Sequence, residues 1–488
     1  MKKLTDILAD IRLIKTTGAY ENININAIQY DSRKIENNDV FVALKGGQTD
    51  GHLFVNQAIS KGAKVILVED FIDDLPENIL QIQVPDTHLA LALMAANYYD
   101  NPSEKLQLVG ITGTNGKTTT ATLSYKLFNI AGFKAGLLST VTIKIGEKSF
   151  PATHTTPDPL MINYYLNEML KQGVQYVFME VSSHGIDQKR TAGLKFKGGV
   201  FTNLTHDHLD YHKTFIQYRD TKKQFFDHLP ESAFALVNID DRNGMFMLQN
   251  TKAEKFTYAL KNPATYKAKI LERNFSGMLL IINNMEVWVR LIGNFNAYNI
   301  LAVYGIAEQL GIEPFDILTY LSELTSVPGR FELIVSPEGK IAIVDYAHTP
   351  DALENVLKTI NEIRPNNTEK LITIVGAGGN RDKTKRPEMA AVAARLSDSV
   401  IFTSDNPRDE NPEEIIDDME TGVPGEYYRK TLRITDRSQA IKAAAQLANP
   451  GDIILIAGKG HEDYQIVKGV KQHFDDREEI KKYFGLTE

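Results

Sequence analysis

The segment Leu106-Gln107-Leu108-Val109-Gly110-Ile111-Thr112-Gly113-Thr114-Asn115-Gly116-Lys117-Thr118-Thr119 decides the reading of this chain. Residues 106–111 form a short apolar run that ends in turn residues, the pattern of a strand buried on both faces. The Gly/Thr-rich stretch turns the chain, and a helix is expected to open at about Thr118. Such a loop between strand and helix can hold phosphates, because glycines let the backbone approach the ligand and the helix N-terminus adds a favourable dipole. Lys117, taken as an exposed loop lysine, would neutralise β- and γ-phosphate oxygens, and Thr118 would ligate Mg²⁺. The plainer alternative is a solvated turn with a capping threonine. The usual loop of this class carries glycine five residues before Gly116, where this chain has Ile111.

Outward from the loop, apolar runs alternate with helical stretches in both directions, which reads as α/β throughout. Upstream, residues 40–44 and 65–68 are strand-like and residues 52–61 helical, a small unit that ends before the linker Asn101-Pro102. Downstream, apolar runs at 176–179, 200–201 and 235–237 extend a mostly parallel sheet. Residues 267–292 alternate more and are expected as antiparallel strands, followed by a helix over 296–310. Val327-Pro328-Gly329-Arg330 interrupts the pattern before a fresh α/β series with strands at 341–344, 371–375, 400–402 and 453–456. Three domains are expected, at 1–102, 103–326 and 327–488: a small amino-terminal α/β domain, a central P-loop ATPase-like mostly parallel sheet, and a carboxy-terminal Rossmann-like α/β domain.

Composition narrows the chemistry. The 488 residues carry a formal net charge of -8, which excludes a broad basic footprint for nucleic acid or membrane surface. There is no cysteine, so disulfides, thiol nucleophiles and thiolate metal sites are excluded and any metal must use oxygen or imidazole ligands. Asp6, Asp10 and Arg12 break the apolar run that a signal peptide needs, and no stretch approaches a membrane span. A cytoplasmic location is the expectation.

Further motifs follow the loop in order. Glu180-Val181-Ser182-Ser183-His184-Gly185 precedes Gln188 and Arg190. Thr202-Asn203-Leu204-Thr205-His206-Asp207-His208-Leu209-Asp210-Tyr211-His212 crowds histidines and acids, and Lys222 lies on the helix after it. Gly293-Asn294-Phe295-Asn296-Ala297-Tyr298-Asn299, Pro328-Gly329-Arg330-Phe331-Glu332 and Asp345-Tyr346-Ala347-His348-Thr349-Pro350-Asp351 come next, then Asp405-Asn406-Pro407-Arg408. Upstream stand Tyr30-Asp31-Ser32-Arg33, Lys45-Gly46-Gly47-Gln48-Thr49-Asp50-Gly51-His52 and His154-Thr155-Thr156-Pro157-Asp158. In this company and order the chain resembles the Mur ligase family over nearly its whole length. Singly the motifs are weak, since Asn-rich and Pro-Gly turns are common.

The resemblance implies an ATP-dependent ligase of peptidoglycan precursor synthesis acting through an acyl phosphate. It implies that Gly113, Thr114, Asn115, Gly116, Lys117, Thr118 and Thr119 cradle ATP, with Asn296, Asn299, Arg330, Asp345 and His348 approaching it. Glu180, at a strand's C-terminal end, and His208 would hold Mg²⁺. Lys222, read alone a solvated helix lysine, would be carbamylated and hold a second Mg²⁺. Tyr30, Ser32, Gly47, Gln48 and Thr49 would contact the UDP portion of a UDP-N-acetylmuramoyl-dipeptide, and Thr155, Thr156, Ser182, Gln188 and Arg190 its muramoyl-dipeptide portion. Asp405, Asn406, Pro407 and Arg408, with Arg381, Gly458 and Glu462, match the form that takes meso-diaminopimelate. Arg408 would pair the distal carboxylate with two parallel hydrogen bonds and Glu462 the distal ammonium. A monomer is expected. The same ligase adding L-lysine is one alternative. Folylpolyglutamate synthetase is another, although it leaves the 154–158, 180–185, 405–408 and 30–34 segments unexplained. Outside the enzymes stands a module that uses ATP as a conformational switch, which phosphate release requiring added substrate would separate.

Overall fold

A computed structural model describes residues 1–46, 49–146, 148–152, 154–207, 209–364 and 368–486. Among these residues the strands gather into three main sheets. The amino-terminal sheet has the order Lys15–Thr16, Leu80–Gln83, Val65–Val68, Val40–Val42, Ile28–Gln29 and is parallel except for its first pair. The strand expected at 40–44 ends at Val42. The helix expected at 52–61 opens as a tight turn, Gly51–Phe54, because the Asp50 side chain accepts from the His52 N–H, and continues as Val55–Ser60.

The central sheet is the largest. Its order is Lys148–Pro151, Thr142–Ile145, Ala135–Leu138, Tyr176–Glu180, Gln107–Thr112, Gly198–Phe201, Phe234–Asn238, Glu254–Ala259, Tyr266–Asn274, Gly277–Ile282, Met285–Val289. Pairing is parallel from Ala135–Leu138 to Tyr266–Asn274 and antiparallel beyond both limits. Within strand Gln107–Thr112, residues 108–111 are apolar because both faces are covered there. Val109 and Ile111 pack with Leu127 and Phe128 of helix Lys117–Ile130 and Ile300 and Leu301 of helix Asn294–Gln309. Leu108 faces the other way, toward Phe225 and Phe226 of helix Phe215–Asp227. A Cβ on Gly110 would stand 2.6 Å from the Phe225 ring, so glycine lets this helix sit directly on the strand.

The third sheet has the order Glu332–Val335, Ile341–Asp345, Ile453–Ala457, Leu371–Val375, Ser399–Phe402, Thr431–Arg433, parallel except for the first pair. The C-terminal ends of its parallel strands share one edge, the side on which open α/β sheets bind ligands. The chain enters the central sheet through Asn101, with φ 51, and the turn Pro102–Lys105. It leaves toward the third through Gly329, φ 65, and Phe331, φ 48. Among the described residues no helix is long and apolar enough to cross a membrane.

Candidate active site

The strand Gln107–Thr112 delivers the glycine-rich loop to a cleft of about 720 Å³ that residues of the central and third sheets line together. Gly113 has φ +148 and Gly116 φ +87, and Cβ atoms there would fall 1.9 Å from Thr202 Oγ1 and 2.5 Å from Asn299 Oδ1. Glycine is therefore demanded twice, by torsion and by space. The Thr114 and Asn115 N–H groups donate to the Asn203 carbonyl (2.8 Å) and to Asn203 Oδ1 (2.9 Å), and Asn203 Nδ2 donates back to the Asn115 carbonyl (3.1 Å). Asn203, to which the sequence reading assigns no role, thus fixes the loop's shape. Thr118 and Thr119 are buried in the first turn of the helix that follows. Lys117 is not an exposed loop lysine: its ammonium folds back onto the Gly113 (2.9 Å) and Thr114 (2.8 Å) carbonyls, and burial lowers its pKa.

Behind the loop stands an oxygen-lined corner. Glu180, fully buried at the end of strand Tyr176–Glu180, accepts from Thr118 Oγ1 (3.0 Å), Thr140 Oγ1 (3.1 Å) and the Thr140 N–H (2.7 Å). Thr140 lies forty positions from Glu180, and no local pattern in the sequence marks it. A carboxylate with two hydroxyls suits a hard cation such as Mg²⁺. No three His, Cys, Asp or Glu side chains converge among the described residues. His208 lies outside the described residues. Its neighbour Asp207 is paired at 2.6 Å with Lys385 of helix Lys385–Leu396, across from the third sheet's side.

Lys222 is not a solvated lysine. It is 1% exposed, on the face of helix Phe215–Asp227 that also buries Tyr218, Phe225 and Phe226. Its Nζ lies 3.0 Å from the Gly113 carbonyl, the same oxygen that Lys117 uses. Burial first, and then Lys117, hold its pKa well below the usual lysine range.

From the third sheet's side, Arg330 lies over the Tyr346 ring (4.3 Å to its centroid) and donates to Thr118 Oγ1 at 3.3 Å. Asp345 ends strand Ile341–Asp345 and accepts from the Phe331 N–H at 2.7 Å. Burial, only partly countered by Arg330, raises its carboxyl to about 6. His348 is exposed, lines the cleft, and sits 2.8 Å from the Tyr346 carbonyl through Nδ1. Asn299 lines the cleft too, but Asn296 does not. Asn296 is buried behind Asn299, accepts from its Nδ2 at 3.1 Å and donates to the Ile292 carbonyl at 2.8 Å. Asn296, expected beside a nucleotide, here meets the cleft only through the Asn299 side chain that it holds.

Between the first and central sheets, Thr156 Oγ1 donates within 3.0 Å of Ser182 Oγ and the Glu180 carbonyl. Arg190 donates to the Thr156 carbonyl (2.6 Å) and to Gln188 Oε1 (2.6 Å). Thr155 accepts from Thr140 Oγ1 at 3.1 Å. Tyr30 joins this group from the first sheet, its hydroxyl pushed up to about 12 by burial and then by Asp158. Ser32 spends its hydroxyl on Gln57 Oε1 (2.7 Å), and the Thr49 carbonyl accepts from the Gly46 N–H (3.0 Å). Gly47 and Gln48 lie outside the described residues.

The last group sits at the ligand edge of the third sheet. Arg408, with φ 53, is anchored by Nη1 to the Gly379 carbonyl (2.7 Å) and by its backbone to Ile466 and Lys468. Arg381 is exposed at the rim, while Asp405, Asn406 and Pro407 are buried. Asn406 Nδ2 donates to Glu462 at 2.8 Å, and Gly458, φ +117, leaves room for Asp405, whose Oδ2 a Cβ there would approach to 2.7 Å. Burial, and then Asp405, raise the Glu462 pKa. The sequence reading did not single out Lys459, whose fully buried ammonium stands between these acids.

One chain thus carries a glycine-rich loop at the cleft and a group of buried acids and cations at the ligand edge of the third sheet. Residues 111–307 match the Mur ligase middle domain, 329–460 the Mur ligase glutamate ligase domain, and 24–99 the Mur ligase family catalytic domain. The UDP-N-acetylmuramoyl-L-alanyl-D-glutamate--2,6-diaminopimelate ligase of Parabacteroides distasonis is 54% identical over 486 residues, covering 100% of both chains. The enzyme of that name from Bacteroides fragilis is 53% identical over 99% of this chain and 100% of its own. A solved structure of a ligase of the same name superposes with a TM-score of 0.71 at 32% identity, over 99% of each chain. With similarity spanning all three sheets and every motif between them, the chain belongs to the Mur ligase family.

Proposed function

We propose that this chain joins meso-2,6-diaminopimelate to UDP-N-acetylmuramoyl-L-alanyl-D-glutamate with ATP, a cytoplasmic step of peptidoglycan synthesis. The observation that carries the reading is Arg408 and Glu462 at the ligand edge of one sheet, a cation for a distal carboxylate and an acid for a distal ammonium, in a chain whose full-length relatives bear that name. A carboxylate resists amines because oxide is a poor leaving group. A glutamyl carboxylate oxygen therefore attacks the γ-phosphorus, the bond to ADP breaks, and an acyl phosphate forms. The amine lone pair then attacks the acyl carbon, phosphate leaves, and the nitrogen loses a proton.

In this reading Lys117 turns from its own loop carbonyls to the phosphates, and the first-turn N–H groups offset the repulsion of two anions. Glu180, Thr118, His208 and Lys222 would hold Mg²⁺, which when bound would supply positive charge beside the phosphates. Lys222 suits this only after its charge changes. Its lowered pKa supplies neutral amine, whose lone pair attacks CO2 with loss of a proton to give a carbamate. The carbamate would put an anion beside Lys117, able to face a second metal ion. Thr155, Thr156, Ser182, Gln188 and Arg190 would seat the muramoyl dipeptide, with Tyr30, Ser32, Thr49 and the Gly47-Gln48 pair at the uridine end. Every group invoked comes from one chain, so a monomer suffices.

The test is a ligation assay with the UDP-muramoyl-dipeptide, ATP and a panel of amino acids, read by product mass. Diaminopimelate should be added far faster than L-lysine. Equal or better use of L-lysine would overturn the amino-acid assignment and leave the ligase reading; no product with any amino acid would overturn both.

A further inference from the structure

The turn Gly458-Lys459-Gly460 at the end of strand Ile453–Ala457 is wedged on both sides. A Cβ on Gly460, φ +54, would meet the Gly329 carbonyl at 2.6 Å, and one on Gly458 would meet Asp405 Oδ2 at 2.7 Å. This confinement directs Lys459 inward, where it is 0% exposed. Its Nζ lies 3.3 Å from Glu462 Oε2, 3.3 Å from Asn406 Oδ1 and 3.7 Å from Asp405 Oδ1. Asp405 Oδ1 is itself buried and receives no hydrogen bond from the described residues. The other buried cation nearby, Arg437, is already neutralised by a two-pronged pair with Asp476 at 2.7 Å and holds the Ala457 carbonyl at 3.0 Å. Lys459 is thus the cation left to face Asp405 and Glu462.

We infer that Lys459 is a positioning residue that sets the amino-acid preference: its ammonium orients Glu462 and Asn406 and takes up one of two carboxylate charges, leaving one for a single substrate ammonium. The inference rests on the reading of the pocket proposed above. Its physical content is a charge count. The distal centre of diaminopimelate carries an ammonium and a carboxylate and is neutral overall, whereas that of lysine carries an ammonium alone. With Lys459 present, Asp405 and Glu462 hold one uncompensated charge, matched to the ammonium, and Arg408 meets the carboxylate. Without it two buried carboxylates face each other, which repels an incoming carboxylate and favours a purely cationic end. A mobile Glu462 would also lose the fixed geometry that reads the ammonium.

The test compares Lys459→Met, which keeps the stem, and Lys459→Gln, which keeps a donor without the charge. For each, kcat and KM are measured separately for diaminopimelate and L-lysine, together with KM for ATP and for the nucleotide-linked dipeptide. KM for diaminopimelate should rise about tenfold or more while kcat and the other two KM values change less. The ratio of kcat/KM for diaminopimelate over lysine should fall at least about tenfold, and more in Lys459→Met than in Lys459→Gln. An unchanged ratio would overturn the inference, whether both substrates suffered equally or neither did. So would failure of both variants to fold, because the lysine would then serve the core and not selection. Inability of the unmodified protein to use diaminopimelate would instead remove the functional reading beneath it.

Discussion

Lys117 and Lys222 aim at one carbonyl oxygen, that of Gly113, and charges on both would repel where little water can screen them, which helps hold the Lys222 pKa down. Lys222→Met keeps the stem's packing and removes the buried amine. It should fold with a melting temperature equal to or above that of the parent, yet lose turnover by about 10²-fold or more if the lysine must become an anion. Labelled bicarbonate should give a carbamate carbon resonance in the parent that is absent from the variant, and full activity of Lys222→Met would return the residue to a purely structural role. The burial of Lys222 was legible. Tyr218, Lys222, Phe225 and Phe226 recur at helical spacing, so the lysine occupies a position on an apolar face. A reading that scores only apolar residues passes over it, because a lysine normally marks the solvated face. Asp345 carries a second residue-scale consequence. A carboxyl whose pKa rises on folding, here from 3.8 to about 6, binds protons more tightly in the folded state, so its ionisation opposes folding above about pH 6 and ceases to matter near pH 4. Asp345→Asn still offers an acceptor to the Phe331 N–H. Denaturant melts should show it more stable than the parent at pH 8, by at most about 3 kcal/mol, with the gain vanishing near pH 4; a loss of equal size at both pH values would contradict the assignment.

At the scale of elements, the strand, loop and helix at 107–130 could be read from the sequence because local residues dictate them. An apolar run, glycines at the left-handed positions and a helix-forming continuation all point to one conformation. Gly113→Ala puts a methyl group 1.9 Å from Thr202 Oγ1 and 3.0 Å from the Asn203 carbonyl. The loop would have to unwind from Asn203, so stability should fall by about 1–3 kcal/mol and nucleotide affinity should be lost in calorimetry; nucleotide binding at parental affinity would show that the loop tolerates another shape. The hairpin Thr142–Ile145 and Lys148–Pro151 was not legible in the same way. Its strands are four residues long, exposed residues dominate the outer one, and pairing at the sheet edge depends on Ala135–Leu138 beside it. Thr140, just before this hairpin, reaches Glu180 only because the edge forms.

At the scale of the whole molecule, several contacts tie the central sheet to the third, among them the Arg273–Glu362 ion pair and three that border the cleft. Arg330 reaches Thr118 at 3.3 Å, Asn115 reaches Asp351 at 3.3 Å, and Lys385 pairs with Asp207 at 2.6 Å. These partners lie 212, 236 and 178 positions apart, so no spacing rule could have joined them. The Lys385 pair has the most to communicate. Lys385 follows directly on the segment that carries Arg381, at the rim of the proposed amino-acid site, and Asp207 adjoins in sequence His208, proposed above for metal. The pair is largely buried, with side chains 16% and 9% exposed, so it is weakly screened and its loss is felt. Lys385→Ala should loosen the docking of the third sheet without unfolding any sheet, since the lysine supports no core. Small-angle scattering should then report a larger radius of gyration, and KM for the amino acid should rise about tenfold, the equivalent of roughly 1.4 kcal/mol of docking energy. KM for ATP should move less, because the phosphate loop is held by Asn203 from within its own sheet. Unchanged scattering together with an unchanged KM would mean that the remaining contacts, Arg273–Glu362 among them, suffice, and that the proposed amino-acid site and metal corner close independently of this pair.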